Sequence, residues 1–203
     1  MNGAFRGLLW IGLLGATIST SCALLTPVTI ETQKETLTKT PAELPVGKML
    51  PGTLLILPPE ASAAYDTTQM AYEVRPHEIA YFVRTEWAEK PPRMLHRLLV
   101  QTLQRAGYFG AVVTPPFMGR YTHALRTEIL TFRQDFNVEP ASFQLDLRVQ
   151  LSIEPGNEVL ATKEISVREP MRDRTPYAGV VAANDATAKA LRELAAFVCA
   201  QTL

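Results

Sequence analysis

The chain has 203 residues, of which 20 are Lys or Arg and 20 are Asp or Glu, and 47% of the residues are hydrophobic. The balanced charge argues against a nucleic-acid-binding protein, and the composition is that of a globular chain. Two cysteines, Cys22 and Cys199, are too few for a disulfide framework or a four-cysteine zinc site.

The N-terminus has the pattern of a secretory signal peptide. One charged residue, Arg6, precedes an apolar run over residues 8–18, and small residues then lead to Cys22. A cysteine after such a tract is where bacterial lipoproteins are cleaved and acylated, although Ser19 stands where the lipobox usually has Leu. Residues 1–21 are therefore predicted to be a signal peptide and Cys22 the lipidated residue.

Two alternatives stay open for this segment. Small residues before Cys22 also suit ordinary signal peptidase, which would release a soluble protein. Residues 7–30 carry no charge and are long enough to span a bilayer of about 30 Å, although their Ser, Thr and Pro content disfavours a span.

Residues 22–52 are predicted to be a lipidated N-terminus and tether. The stretch is rich in threonine and proline, and residues 28–37 alternate enough to form an edge strand. The folded domain is then expected to cover residues 53–203.

The first half of this domain is predicted to contain short strands followed by a helix. Residues 53–57, 70–75 and 78–84 have strand patterns, and the last two flank a turn-like Arg-Pro-His sequence. Paired prolines begin a helix over residues 91–106 that Gly107 is placed to end, and residues 111–113 form a further strand.

Aromatic residues are concentrated around the pair of strands at 70–84. They are Tyr72, Tyr81, Phe82 and Trp87. Such residues usually pack a sheet, but aromatic side chains are also enriched in interface cores. Where they are exposed, they are a candidate partner surface.

The second half is predicted to hold the main sheet and a final helix. Residues 143–153 alternate strictly between apolar and polar, as in a strand with one buried face, and a turn at 154–157 leads to a partner at 159–167. Residues 125–136 form another long strand with a bulge near Ile129. Thr175 is a plausible N-cap for a helix over 176–201.

This order of elements predicts an α+β fold. We expect a two-layer sandwich with a largely antiparallel sheet and two main helices packed on one face. Cys199, at the edge of the apolar stripe of the last helix, is expected to behave as a small hydrophobic residue.

No catalytic, metal-binding or cofactor-binding motif is found in the sequence. The histidines His77, His96 and His123 lack metal-ligand spacing and are expected to be structural or surface residues. A basic group, Arg168, Arg172 and Arg174, is interspersed with acidic residues and is expected to be solvated surface. Its alternative role is contact with an acidic partner or with phospholipid headgroups.

Several long stretches resemble one protein family. They are residues 53–95 (TLLILPPEASAAYDTTQMAYEVRPHEIAYFVRTEWAEKPPRML), 98–113, 128–136, 160–167 and 176–197 (PYAGVVAANDATAKALRELAAF). The family is the PqiC-like auxiliary lipoprotein component of ABC-type transport systems, and the similarity covers nearly all of the chain after the signal peptide.

The resemblance implies a non-catalytic lipoprotein, acylated at Cys22, on the periplasmic side of the outer membrane. It implies a periplasmic MCE-domain partner and, through it, an MlaE-like permease and its ATPase, which move phospholipids or other hydrophobic molecules between the two membranes. Phospholipid and a second copy of the chain are further candidate partners, and no cofactor is expected. A periplasmic hydrolase with non-local catalytic residues, or a lipoprotein assisting outer-membrane or secretion assembly, are the alternatives.

Overall fold

This computed structural model of the protein describes residues 31–156 and 158–201. They contain nine strands and two helices, joined by loops. The strands are β1 (Gln33–Glu35), β2 (Leu50–Ile56), β3 (Glu60–Ala61), β4 (Gln69–Glu73), β5 (Ala80–Trp87), β6 (Phe109–Val113), β7 (His123–Asp135), β8 (Ser142–Ile153) and β9 (Glu158–Pro170). The helices are α1 (Pro91–Ala106) and α2 (Pro176–Ala200).

The strands form one sheet with β7 at its centre. β7 pairs with β8 in a long antiparallel ladder, and β8 pairs with β9 in the same way. The other neighbours of β7 are β2, β3 and β4, and they pair with it in parallel over two or three residues each. The predicted α+β class is confirmed, and the sheet is mixed because its long ladders are antiparallel while its short flanking pairs are largely parallel.

Both helices lie where the sequence predicts them. In α1, Pro91 begins the helix and Gly107 ends it in a left-handed conformation, with φ of 67°. In α2, the Thr175 side chain accepts a hydrogen bond from the Ala178 amide at 3.2 Å, which satisfies one of the unpaired amides of the first turn. Helix α2 packs on β8 and β9, and α1 packs on α2 and β6.

The core lies between the sheet and the helices. Along β8 the buried apolar side chains are every second residue, namely Phe143, Leu145, Leu147, Val149 and Leu151. On β7 the register shifts between Ile129 and Thr131, so that Leu125, Ile129 and Phe132 are all buried despite the change of phase. The bulge predicted near Ile129 is therefore confirmed, and it keeps the apolar residues of β7 in the core.

The opposite face of the sheet is polar. Arg148 lies between Glu128 and Glu164 on neighbouring strands, at 2.8 Å and 2.9 Å from their carboxylates. These carboxylates raise the pKa of the Arg148 guanidinium, and all three side chains remain exposed to solvent. These three charged side chains lie side by side across β7, β8 and β9, and they form the solvent-exposed face that the alternating sequence predicts.

Residues 36–49, called the strap below, pack against both helices. The Oδ1 of Asn184 in α2 accepts hydrogen bonds from the backbone amides of Thr38, at 2.8 Å, and Lys39, at 3.1 Å. Arg105 of α1 donates two more hydrogen bonds to the strap. Leu37 belongs to the hydrophobic core and is 2% exposed.

The second half of the strap is fixed near the end of α2. The Tyr108 hydroxyl donates to the Pro45 carbonyl at 2.6 Å, and the Cys199 thiol donates to the Val46 carbonyl at 3.7 Å. Burial raises the pKa of Tyr108 to about 12, with a smaller contribution from Cys199. Cys199 is buried, as its expected role as a small hydrophobic residue requires.

The structure corrects the sequence-based boundary at residue 53. A compact unit begins at Glu31, so the predicted tether over residues 22–52 extends too far into the domain. The threonines and prolines of this stretch do favour an extended chain, but its backbone groups find hydrogen-bond partners on distant helices. β1 lies within the predicted edge strand over residues 28–37 and pairs in parallel with β5.

We expect Asn184→Ala to lower the free energy of unfolding by about 0.5–1.5 kcal/mol, because the two exposed amides of the strap lose their acceptor and are hydrated by water instead. Hydrogen exchange at the Thr38 and Lys39 amides should accelerate in the same variant. Arg192→Ala, an exposed change on the same helix, is the control and should alter neither quantity. Unchanged exchange at both amides in Asn184→Ala would contradict the conclusion that Asn184 holds the strap on α2.

Candidate partner surface

An aromatic cluster lies at one end of the sheet, where β4, β5 and β7 meet. The rings of Tyr72 and Phe82 have centroids 4.4 Å apart, and Phe136 packs edge-on to both at 6.0 Å and 6.4 Å. Arg174 covers this cluster, with its guanidinium carbon 5.1 Å from the Phe136 ring centroid and a hydrogen bond to the Phe136 carbonyl at 2.8 Å. The cluster is half-buried, and most of its ring surface is used in contacts within the domain.

The pairing of β4 with β5 contains a register shift, and the aromatic residues of β5 lie on both sides of it. Phe82 contacts Phe136 and Trp87 contacts Phe132, so residues five apart on β5 point to the same layer. The pairing of β4 with β5 slips between Gln69 and Ala71, which permits this change of phase.

Trp87 is 1% exposed and belongs to the core, so its inclusion in the predicted partner surface is wrong. Tyr81 is half-buried and donates a hydrogen bond to the Ala64 carbonyl at 3.2 Å. Tyr72 and Phe82 lie together with Phe136 and Arg174, which the sequence pattern did not single out. The exposed apolar side chains at this end are Val74, Ile79 and Val83, on and near the turn between β4 and β5.

A polar cluster lies close to the aromatic one. Arg133 forms an ion pair with Glu73 at 2.6 Å, and both side chains are largely shielded from solvent. Arg133 is also close to the hydroxyl of Tyr65, whose pKa is raised chiefly by burial. A paired carboxylate and guanidinium beside a protonated phenol tie β4 to β7, which is a structural arrangement.

The three histidines lie in different surroundings. His77 is exposed in the turn after β4, with φ of 70°, and the ring of His96 lies 3.4 Å from the Ile56 carbonyl. His123 lies 2.9 Å from the Thr122 hydroxyl, and burial lowers the pKa of its imidazole. Within residues 31–156 and 158–201, His, Cys, Asp and Glu side chains do not group in threes as a metal site would require.

The predicted basic group is largely neutralised by nearby carboxylates. Arg168 lies 3.9 Å from Asp135, and Arg174 lies 3.6 Å from Glu139. Arg172 lines a cavity of about 510 Å³ between the end of β9 and the start of α2. Tyr177 and Val181, both exposed on α2, are among the apolar residues of its wall.

The opposite end of the sheet carries a larger set of exposed apolar side chains, called the distal rim below. It comprises Val46, Met49, Phe117, Met118, Ile153, Val159 and Leu160. They come from the end of the strap, the loop between β6 and β7, and the hairpin between β8 and β9. One sequence signal could have indicated them: Phe117 and Met118 are large apolar residues between paired prolines and a glycine, where a loop is expected.

None of the helices in the described part of the chain is long and apolar enough to cross a membrane. The predicted lipidation site, Cys22, lies outside the described residues, as does the predicted signal peptide. Both therefore stay predictions.

The fold is similar to that of known structures. Protein XCC0632 from Xanthomonas campestris superposes with a TM-score of 0.75 at 20% sequence identity, over 84% of this chain and 95% of that one. The hypothetical protein CT253 from Chlamydia trachomatis superposes with a TM-score of 0.52 at 12% identity, over 75% of this chain and 98% of that one. At these identities the similarity establishes the fold alone.

Comparison with curated protein sequences finds no significant match. The family comparison is informative, because residues 36–197 match the family described as the ABC-type transport auxiliary lipoprotein component. The match begins inside the strap and ends near the end of α2, so it covers both layers of the domain. The chain therefore belongs to the ABC-type transport auxiliary lipoprotein family, as its resemblance to PqiC-like proteins predicts.

Proposed function

We propose that this protein is a non-catalytic lipoprotein of the outer membrane that serves an MCE-type ABC transport system. In this role it anchors or docks a periplasmic MCE-domain protein, and through it an MlaE-like permease and its ATPase. The cargo would be phospholipids or other hydrophobic molecules moving between the two membranes. Membership of the auxiliary lipoprotein family, over residues 36–197, is the observation that carries this proposal.

The anchor in this proposal is acylated Cys22. Glu31 follows nine positions after it, and a fully extended chain of that length spans about 30 Å. The domain would therefore stay close to the membrane, facing the periplasm. Several acyl chains together give a stable anchor, whereas one chain binds a membrane only marginally.

One proposed contact for the partner is the exposed part of the aromatic region. It consists of Tyr72, Tyr81 and Phe82, since Trp87 is buried. Aromatic residues are enriched in interface cores, which supports this surface. Their half-burial and their contacts within the domain reduce the area they can offer.

We expect Cys22→Ser to move the protein from the membrane fraction to the soluble periplasm while leaving its unfolding transition unchanged. The thioether to the lipid needs the cysteine sulfur, and residue 22 lies outside the compact unit that begins at Glu31. Metabolic labelling with a fatty-acid analogue should mark the wild type and not the variant. Unlabelled wild-type protein would refute the anchor.

Crosslinking in the periplasm tests the partner. The MCE-domain protein of the same system should be captured by the wild-type chain, and deletion of the gene should raise sensitivity to membrane-active compounds. A chain reduced to residues 1–52 should not restore resistance. Turnover of a substrate that is lost when a single Asp or His is replaced would favour the hydrolase alternative instead.

A further inference from the structure

The distal rim is an unusual surface for a soluble domain. Met118 and Val46 are each 99% exposed, and Met49 is 62% exposed. Single exposed apolar residues are ordinary, but here seven of them lie at the same end of the sheet. Nothing in the described residues covers these side chains.

The segments that carry the rim are tied to one another by hydrogen bonds. The amide of Glu154, in the hairpin after β8, donates to the Thr122 carbonyl at 2.9 Å. The amide of Thr122, which follows the loop with Phe117 and Met118, donates to the Thr53 carbonyl at 3.0 Å. β2, which contains Thr53, begins directly after Met49. The three segments that carry the rim are therefore neighbours in the fold, joined by backbone hydrogen bonds.

The rim lies far from the place where the described chain begins. Gln33 pairs with Thr85 of β5, and the next strand, β4, enters the aromatic cluster through Tyr72. β7 runs from the rim to that cluster over 13 residues, a length of about 40 Å at the rise of an extended strand. If Cys22 is the anchor, the aromatic end lies toward the membrane and the rim points away from it.

We infer that the distal rim is the docking surface for the periplasmic partner protein, which offers it an apolar surface. This inference rests on the proposed function, because it takes the anchor at Cys22 as given. A bilayer is a poor occupant, since the rim is at the end of the domain remote from the anchor. The charged residues near the rim, Lys48, Arg120, Glu154 and Glu158, have mixed sign, so the contact is apolar rather than electrostatic.

Site-specific photocrosslinking in cells tests this assignment with the full-length, membrane-anchored protein. p-Benzoylphenylalanine placed at Met118 or Val159 should crosslink to the MCE-domain protein. Val83 and Tyr177 are matched controls, since both are exposed and both lie near the aromatic end. Crosslinks from Val83 but not from the rim would overturn the inference in favour of the aromatic surface. Rim crosslinks to lipid or to a second copy of the chain would overturn it as well.

Substitution supplies a second measurement. The double variant Met118→Asp, Val159→Asp should reduce capture of the MCE-domain protein about tenfold, because it places charge in a desolvated contact. Val181→Asp, at an exposed apolar position of α2, should capture it as the wild type does, and thermal unfolding checks that every variant is folded. Normal capture by the rim variant overturns the inference and leaves the proposed function standing. A wild-type chain that captures no MCE-domain protein overturns both.

Discussion

Replacing Leu147 by alanine is expected to lower the free energy of unfolding by about 2–5 kcal/mol. Leu147 lies in the middle of β8, is fully buried, and faces the layer of helices. Removing its isobutyl group loses the transfer free energy of the buried atoms and leaves a cavity that the long ladders of β7 and β9 prevent from collapsing. A urea titration that compares the midpoint and the slope of the transition measures this loss.

The neighbouring residue supplies the control. Arg148 points to the polar face of the sheet and is exposed between two carboxylates, so Arg148→Ala should cost far less than Leu147→Ala. Equal and small losses in both variants would show that β8 does not bury the face on which Leu147 lies.

Gly179→Ala is the second change for which we expect a large effect, a net loss of stability in spite of the higher helix propensity of alanine. A methyl group at this position of α2 would overlap the side-chain amide of Gln134 on β7. Gln134 is fully buried and donates to the Pro176 carbonyl at 3.2 Å, so it cannot swing away into solvent. Overpacking of this kind costs about 1–3 kcal/mol, against a propensity gain of about 1 kcal/mol.

Two controls separate these contributions. Ala188→Gly, on the same helix and only partly buried, measures the propensity difference without a clash. In a double-mutant cycle, Gln134→Ala should relieve most of the penalty of Gly179→Ala, because it removes the amide that the methyl group meets. Additive losses in the cycle would mean that the two residues are not in contact, and that α2 docks on the sheet differently.

Local patterns were sufficient to predict the two helices and the long antiparallel strands. The strict alternation of residues 143–153 predicts both the strand and its buried face, because side chains of a strand point alternately to its two sides. The helix ends are also a local property, because a cap interacts with backbone groups only a few residues away. They were predicted from the prolines at residues 91 and 176 and from the caps Gly107 and Thr175.

Predictions for the partner surface were less successful, since exposure is not a local property. Trp87 and Phe82 belong to one aromatic stretch, yet Trp87 packs on Phe132 in the core, whereas Phe82 packs on Phe136 at the end of the sheet and is half-buried. Phe136 and Arg174, which complete the aromatic cluster, are more than 50 residues from Phe82 in sequence. The distal rim likewise joins three segments that are separated along the chain.

The α+β class, the two helices with their caps, the phase of β8 and the family of the chain could all be read from the amino-acid sequence. Each of these depends on residues close together along the chain, or on long matching stretches. Three features became visible only in the folded chain: the strap belongs to the domain, Trp87 is buried, and apolar side chains gather on the distal rim. Those outcomes depend on contacts such as Thr38 with Asn184, 146 residues apart, and composition or periodicity carries no information about which distant residues will meet.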